Sequence, residues 1–138
     1  MRHPLHPALV HFPIACWSLA TLADVASLHW GEPAWHFAGI AMLIGTLAAL
    51  VAMASGLLEF VKIDDASPAL ADANRHMLLV MGAWLCYAAS LAVRMERFSL
   101  VKPNALALGL GVLGFLVLIA AGWFGGKLVY THGVGVRR

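Results

Sequence analysis

The stretch NALALGLGVLGFLVLIAAGWFGGKLVY, residues 104–130, holds a single charged side chain, Lys127, three residues from its end. Crossing about 30 Å of hydrocarbon takes roughly 20 helical residues. This run is long enough, and its apolar residues leave no polar face for water. Three more runs read the same way, at about 8–28, 36–62 and 74–93. The bulk numbers agree. The chain of 138 residues is 62% hydrophobic and 12% charged, where a soluble domain carries about 25% charged residues.

Backbone groups in lipid must be satisfied internally, so a chain this short spans as helices. The connections HWGEPAW (29–35), DDASPALADA (64–73) and MERFSLVKP (95–103) are brief. Short loops force neighbours antiparallel, which gives an all-α, integral membrane, up-down-up-down four-helix bundle forming one domain over 1–138. Ser67 before Pro68 suits a helix N-cap with proline at the first position. Helix three therefore begins ahead of its membrane portion, and Gly133 suits the stop of helix four. Trp30, Trp35, Trp123 and Tyr130 lie near span ends as an interfacial belt requires, while Trp17 and Trp84 sit deeper as packing residues. No soluble domain, low-complexity linker or strong internal repeat stands out.

Net charge of +2 with no basic cluster beyond Arg137 and Arg138 gives no reason to expect nucleic acid; a lipid surface suits the basic terminus. Cys16 and Cys86 fall in apolar stretches and match no metal or redox motif. The N-terminus has no charged n-region or cleavage site, so the first span is expected to be retained.

The bundle has two ends. Side A, where the first span begins, receives His3, His6 and His11, Glu59 closing helix two, Arg75 and His76 opening helix three, and His132 closing helix four. Side B receives only His29 and His36. Helices one and three run parallel and sit diagonally. His11 and His76 lie at similar depth, an arrangement suited to axial ligation of a b-type haem. His76 with His132, on adjacent helices, is a second pairing, and two haems would crowd 138 residues. Arg75 and Lys127 would meet propionates. Gly45, Ala49, Ala52 and Gly56 on helix two, and Gly111, Gly114, Gly122 and Gly125 on helix four, form small-residue stripes that read first as packing devices and second as room for a flat ligand.

The plainer readings carry weight. His3 and His6 suit side chains snorkelling to the headgroups, His29 and His36 suit solvated loops, and Glu59 reaches Lys62 or water. Intramembrane ionisable groups nevertheless tend to mark sites. Pro13 either kinks helix one, freeing the Leu9 carbonyl, or starts it, leaving HPLHPALVHF as an extended arm.

The pair HPALVHFPIACW (6–17) and GWFGGKLVYTHGVGV (122–136), with NRHMLLV (74–80) between them, resembles the bacterial membrane family catalogued as domain of unknown function 2231 along essentially the whole chain. The resemblance implies a four-helix inner-membrane protein, akin to the membrane parts of redox systems, with motif positions His6, His11, His76 and His132. It brings no established activity.

The leading expectation is therefore a membrane b-type haem-binding protein, or an electron-transfer or accessory subunit of a membrane redox complex. Its partners would be the bilayer and other redox subunits or further copies of itself. Alternatives are a His/Glu site for zinc, iron or copper, with Met77 and Met81 as soft ligands, and a cofactor-free structural subunit. An independent enzyme is not expected: no nucleotide loop or nucleophile–base motif is present. Side A collects Arg2, Lys62, Arg75, Lys127, Arg137 and Arg138 against Arg94, Arg97 and Lys102 on side B, which by the positive-inside rule puts both termini in the cytoplasm of the bacterial inner membrane. A C-terminal reporter fusion should be active only in its cytoplasmic form; activity of a periplasm-dependent reporter there reverses the assignment.

Overall fold

Gly31 alone makes the first reversal. In the computed structural model, which describes residues 5–136, α1 (Leu5–Trp30) ends one residue before α2 (Glu32–Phe60). Gly31 takes φ 69°, a left-handed value that costs glycine nothing, and Pro33 fits the first turn of α2 because the donor it lacks would be unpaired there. The loop expected at 29–35 is thus absorbed into helix. Pro13 lies inside α1, so residues 5–12 are the first turns of a continuous helix, not an extended arm. Residues Arg2, His3, Arg137 and Arg138 lie outside the described residues.

α3 (Ala69–Val93) starts where the Ser67 hydroxyl accepts the Ala69 amide at 3.2 Å, and α4 (Ala105–Tyr130) starts where the Asn104 side chain accepts the Ala107 amide at 2.9 Å. Both caps satisfy donors that a helix start leaves orphaned. Past Tyr130 the chain stops as expected, with Gly133 at φ 66° and its amide on the Val129 carbonyl. The α3–α4 connection holds a small departure from an all-helical chain. β1 (Met95–Glu96) pairs antiparallel with β2 (Ser99–Leu100) across Arg97 and Phe98, both at positive φ. A two-residue loop of this hand matches strand twist. The Leu100 side chain then lies against Gly39 of α2, filling the place a Cβ would take.

All four helices are long and apolar enough to cross a membrane. Within each hairpin the helices run antiparallel: His6 meets Ala52 while Trp17 meets Thr46, and His76 meets Ala121 while Ser90 meets Ala107. α1 packs closely along α2 and α3 along α4, with sparser contact between the two hairpins. Glycines let the hairpins close: Gly45 takes the Cys16 and Trp17 side chains, and Gly114 takes Cys86 and Tyr87. The core of Trp17, Ala20, Met42, Ala49, Ala83, Tyr87 and Leu118 occupies the middle of the bundle.

Gly45→Ala should destabilise the protein by about 1–3 kcal/mol, the usual cost of overpacking a filled interior, because its Cβ would come within 2.8 Å of Cys16 Cβ and 2.9 Å of Trp17 Cδ1. Gly109→Ala, which meets nothing within 4 Å, should be neutral or slightly stabilising. Thermal unfolding of both variants in one detergent checks the contrast.

Candidate functional site

The buried stripe of α1 runs Pro13, Trp17, Ala20, Thr21 and Asp24, and the second half of α3 with its C-cap buries Ala83, Tyr87, Ser90, Leu91 and Arg94. Each member of the first has its counterpart seventy residues later in the second. The contacts obey the same register. Trp17 stacks on Tyr87 with ring centroids 4.7 Å apart and planes 10° from parallel, and Asp24 receives Arg94. α2 and α4 correspond at sixty-nine residues: Gly45 and Gly114, Ala52 and Ala121, Gly56 and Gly125 play the same parts in their hairpins. The chain is therefore a tandem of two equivalent hairpins about a pseudo-two-fold axis along the bundle, where no strong repeat was expected from sequence. Identity survives at few positions, among them His6/His76, Val10/Val80 and Cys16/Cys86, too few to rise above the shared apolar composition.

Three layers of side chains follow from this axis. The layer toward side B is ionic. Arg94 Nη1 and Nη2 donate to Asp24 Oδ1 and Oδ2 at 2.8 and 2.7 Å, with both residues buried. Nη2 also donates to Ser90 Oγ, whose hydroxyl donates to the Ala107 carbonyl at 2.7 Å. One fork thus joins α1, α3 and α4. Arg94, expected among the surface charges of side B, is buried here because a carboxylate in the same register neutralises it. Its Nε is buried with no partner among the described residues.

The middle layer is aromatic. Tyr87 Oη donates to Thr21 Oγ1 at 2.7 Å, and Thr21 donates to the Trp17 carbonyl at 3.0 Å. Trp17 and Trp84 donate to the hydroxyl and carbonyl of Thr46, which confirms both indoles as packing residues with satisfied donors.

The third layer, toward side A, is His6 and His76. His6 Nδ1 lies 2.9 Å from the Ala52 carbonyl, and His76 Nδ1 lies 2.9 Å from the Ala121 carbonyl. A carbonyl only accepts, so in each neutral ring Nδ1 carries the proton and Nε2 keeps its lone pair. Gly56 and Gly125 leave the space each imidazole fills: an added Cβ would sit 2.8 Å from His6 Cε1 and 3.1 Å from His76 Cε1. Gly45, Gly56, Gly114 and Gly125 are thus packing notches for side chains of the same hairpin, whereas Gly111 faces Asp24 and Met42 of the other hairpin and Gly122 meets nothing within 4 Å. Both imidazoles are half-buried, with Pro13, Ala52, Ala83 and Ala121 buried on the aromatic side of them and Ala69, Asp72 and Ala73 buried beyond them at the start of α3.

The other sequence candidates lie elsewhere. His11 is exposed on the outside of α1, as is Met81, its counterpart on α3, so His11 is not brought to His76. His132 is also separate: its Nε2 lies 3.0 Å from Asp72 Oδ2. Asp72, buried near the start of α3, also receives Lys127 Nζ at 2.9 Å and Arg75 Nη1 at 3.2 Å. Glu59 is half-buried without an ion pair among the described residues. His29 and His36 are exposed, as expected, beside Trp30 and Trp35. Among the described residues no three His, Cys, Asp or Glu side chains converge as a metal would require. Asp24 and Asp72, the two acids that organise the ends of the bundle, were not singled out from sequence. A lone carboxylate in an apolar run was the available signal for Asp24.

Removing one member of the ionic layer should cost about 3–5 kcal/mol, because it strands the other charge. Since the two positions correspond across the axis, the exchanged pair Asp24→Arg with Arg94→Asp should recover more than half of the loss shown by either single change. A double-mutant cycle on thermal or denaturant unfolding in detergent measures this; exchange no better than the single changes would deny the equivalence.

Comparison with known proteins adds one match. The family model described as "Predicted membrane protein (DUF2231)" covers residues 2–138. No curated protein and no solved structure matches the chain. With four apolar helices and a family match spanning nearly its whole length, the chain belongs to the DUF2231 family of predicted membrane proteins.

Proposed function

We propose that this membrane protein binds a b-type haem at side A, with His6 and His76 as axial ligands, and serves as an electron-transfer or accessory subunit of a membrane redox complex. The observation that carries the reading is the matched pair of imidazoles, each with Nδ1–H held by a backbone carbonyl of its own hairpin. Ligating histidines are commonly oriented this way, the outer hydrogen bond fixing the tautomer and presenting Nε2. Two further facts support it. The helices carrying the pair are diagonal partners in equivalent register, and both imidazoles are only half-buried. A bound haem would supply reversible one-electron iron chemistry. The protein's part is to present two neutral nitrogens from stiff helices and to surround them with apolar span.

In the same reading the chain resides in the bacterial inner membrane with termini in the cytoplasm, and its partners are redox subunits or further copies of itself. A structural role without cofactor is the second reading. It is favoured by the glycine notches, which the imidazoles themselves fill. Zinc, iron or copper bound by the same two histidines would need ligands beyond the described residues.

Protein purified from haem-supplemented cells should show a low-spin spectrum, oxidised and dithionite-reduced. His6→Ala and His76→Ala should each convert it to high-spin or haem-free protein, while His11→Ala and His132→Ala leave it unchanged. A wild-type protein with no haem absorbance sinks the proposal. A normal low-spin spectrum in either the His6 or the His76 variant removes that residue as a ligand.

A further inference from the structure

A second feature of side A is independent of the histidine pair. The Phe124 ring of α4 has the Arg75 guanidinium 5.8 Å and the Lys127 ammonium 5.7 Å from its centroid. Both cations lean on Asp72, which is buried behind them, whereas their own side chains are 61% and 38% exposed. One carboxylate balances only one of the two cations that share it. Donors remain after Asp72 is satisfied: Arg75 uses only Nη1 in hydrogen bonding, and Lys127 has one anionic partner among the described residues. The surroundings fix the depth. Trp123, Lys127 and Tyr130 recur at i, i+4 and i+7 on one face of α4, with Trp123 73% and Tyr130 90% exposed. Exposed Trp and Tyr bracketing the end of an apolar span sit at the headgroup level of a bilayer.

We propose that Arg75 and Lys127, over Phe124, bind the phosphate of an anionic phospholipid at the α3–α4 seam. The unbalanced positive charge attracts the anion, the spare N–H groups of Arg75 donate to its oxygens, and the neighbouring lipid-facing surface takes its acyl chains. A lipid, rather than a free anion, is the occupant because the charges stand at the boundary between headgroup and hydrocarbon. The plain alternative is that Lys127 only complements the C-terminal dipole of α4 and Arg75 only shields Asp72.

The test uses the full chain in phosphatidylcholine nanodiscs with graded phosphatidylglycerol, reading the thermal midpoint and the lipid retained on native mass spectrometry. Wild type should retain phosphatidylglycerol over phosphatidylcholine and gain thermal stability as its fraction rises. Arg75→Gln should weaken that preference roughly fivefold, the effect of removing one basic group at a membrane surface, whereas Lys62→Gln should not. Arg75 carries the test because its exposure makes the change harmless to folding; Lys127→Gln, which removes the shortest of the three contacts to Asp72, is compared only if its circular dichroism is unchanged. Equal retention of the two lipids, or an Arg75→Gln protein with wild-type preference, overturns the proposal. Inorganic phosphate in phosphatidylcholine discs should give no shift; a full shift with phosphate alone overturns the lipid assignment.

Discussion

The bidentate contact between Asp24 and Arg94 sets the register of everything above it. Two long apolar helices have little to prevent them from sliding by a turn in lipid, because apolar side chains gain little from one another that lipid does not also give. A buried ion pair is different. Displaced by one turn, it leaves two charges unpaired in a medium where each is costly to strand. α1 and α3 are diagonal neighbours that meet through side chains, and this fork, with the Ser90 bridge to α4 and the Trp17–Tyr87 stack, fixes how far along each other they stand.

From that register the rest follows along the axis. An α-helix rises about 1.5 Å per residue, so the seven residues from Asp24 to Trp17 lift the aromatic layer roughly 10 Å above the ionic one. Another eleven residues bring the imidazole layer roughly 16 Å further. Because α3 repeats these intervals, each layer meets its counterpart. The pairs differ in chemistry: opposite charges attract and flat rings stack, while each imidazole instead meets a backbone carbonyl of its own hairpin. In that last layer the two side chains stay half-buried. A ligand that bonds both rings would complete it.

The candidate site was half legible beforehand. The clustering of histidines at one end follows from counting spans, since each crossing reverses direction. Which histidines face inward could not be read from depth alone. His11 and His6 are five residues apart, more than one turn, and therefore point in different directions around α1. Depth favours His11, but the stripe set by Trp17 and Asp24 includes His6. His132 was similarly ambiguous: its place at the end of the α4 stripe is as expected, yet Asp72 takes its Nε2. Nothing in a single sequence pairs residues sixty positions apart.

By itself the sequence determined the membrane-helical class, the number of spans, the glycine stop after α4 and the packing roles of Trp17 and Trp84. These depend on hydropathy and on local backbone chemistry, which act over one or two turns. Tertiary structure alone decided the one-residue reversal at Gly31, the inward turn of Arg94, the assignment of glycines to the imidazoles that fill them, and the half-burial of His6 against the exposure of His11. Each depends on which side chain meets which across the bundle. The same contacts exposed the doubled hairpin, because helices in lipid tolerate exchange of one apolar residue for another while the few positions that must fit a partner across the axis keep their geometry.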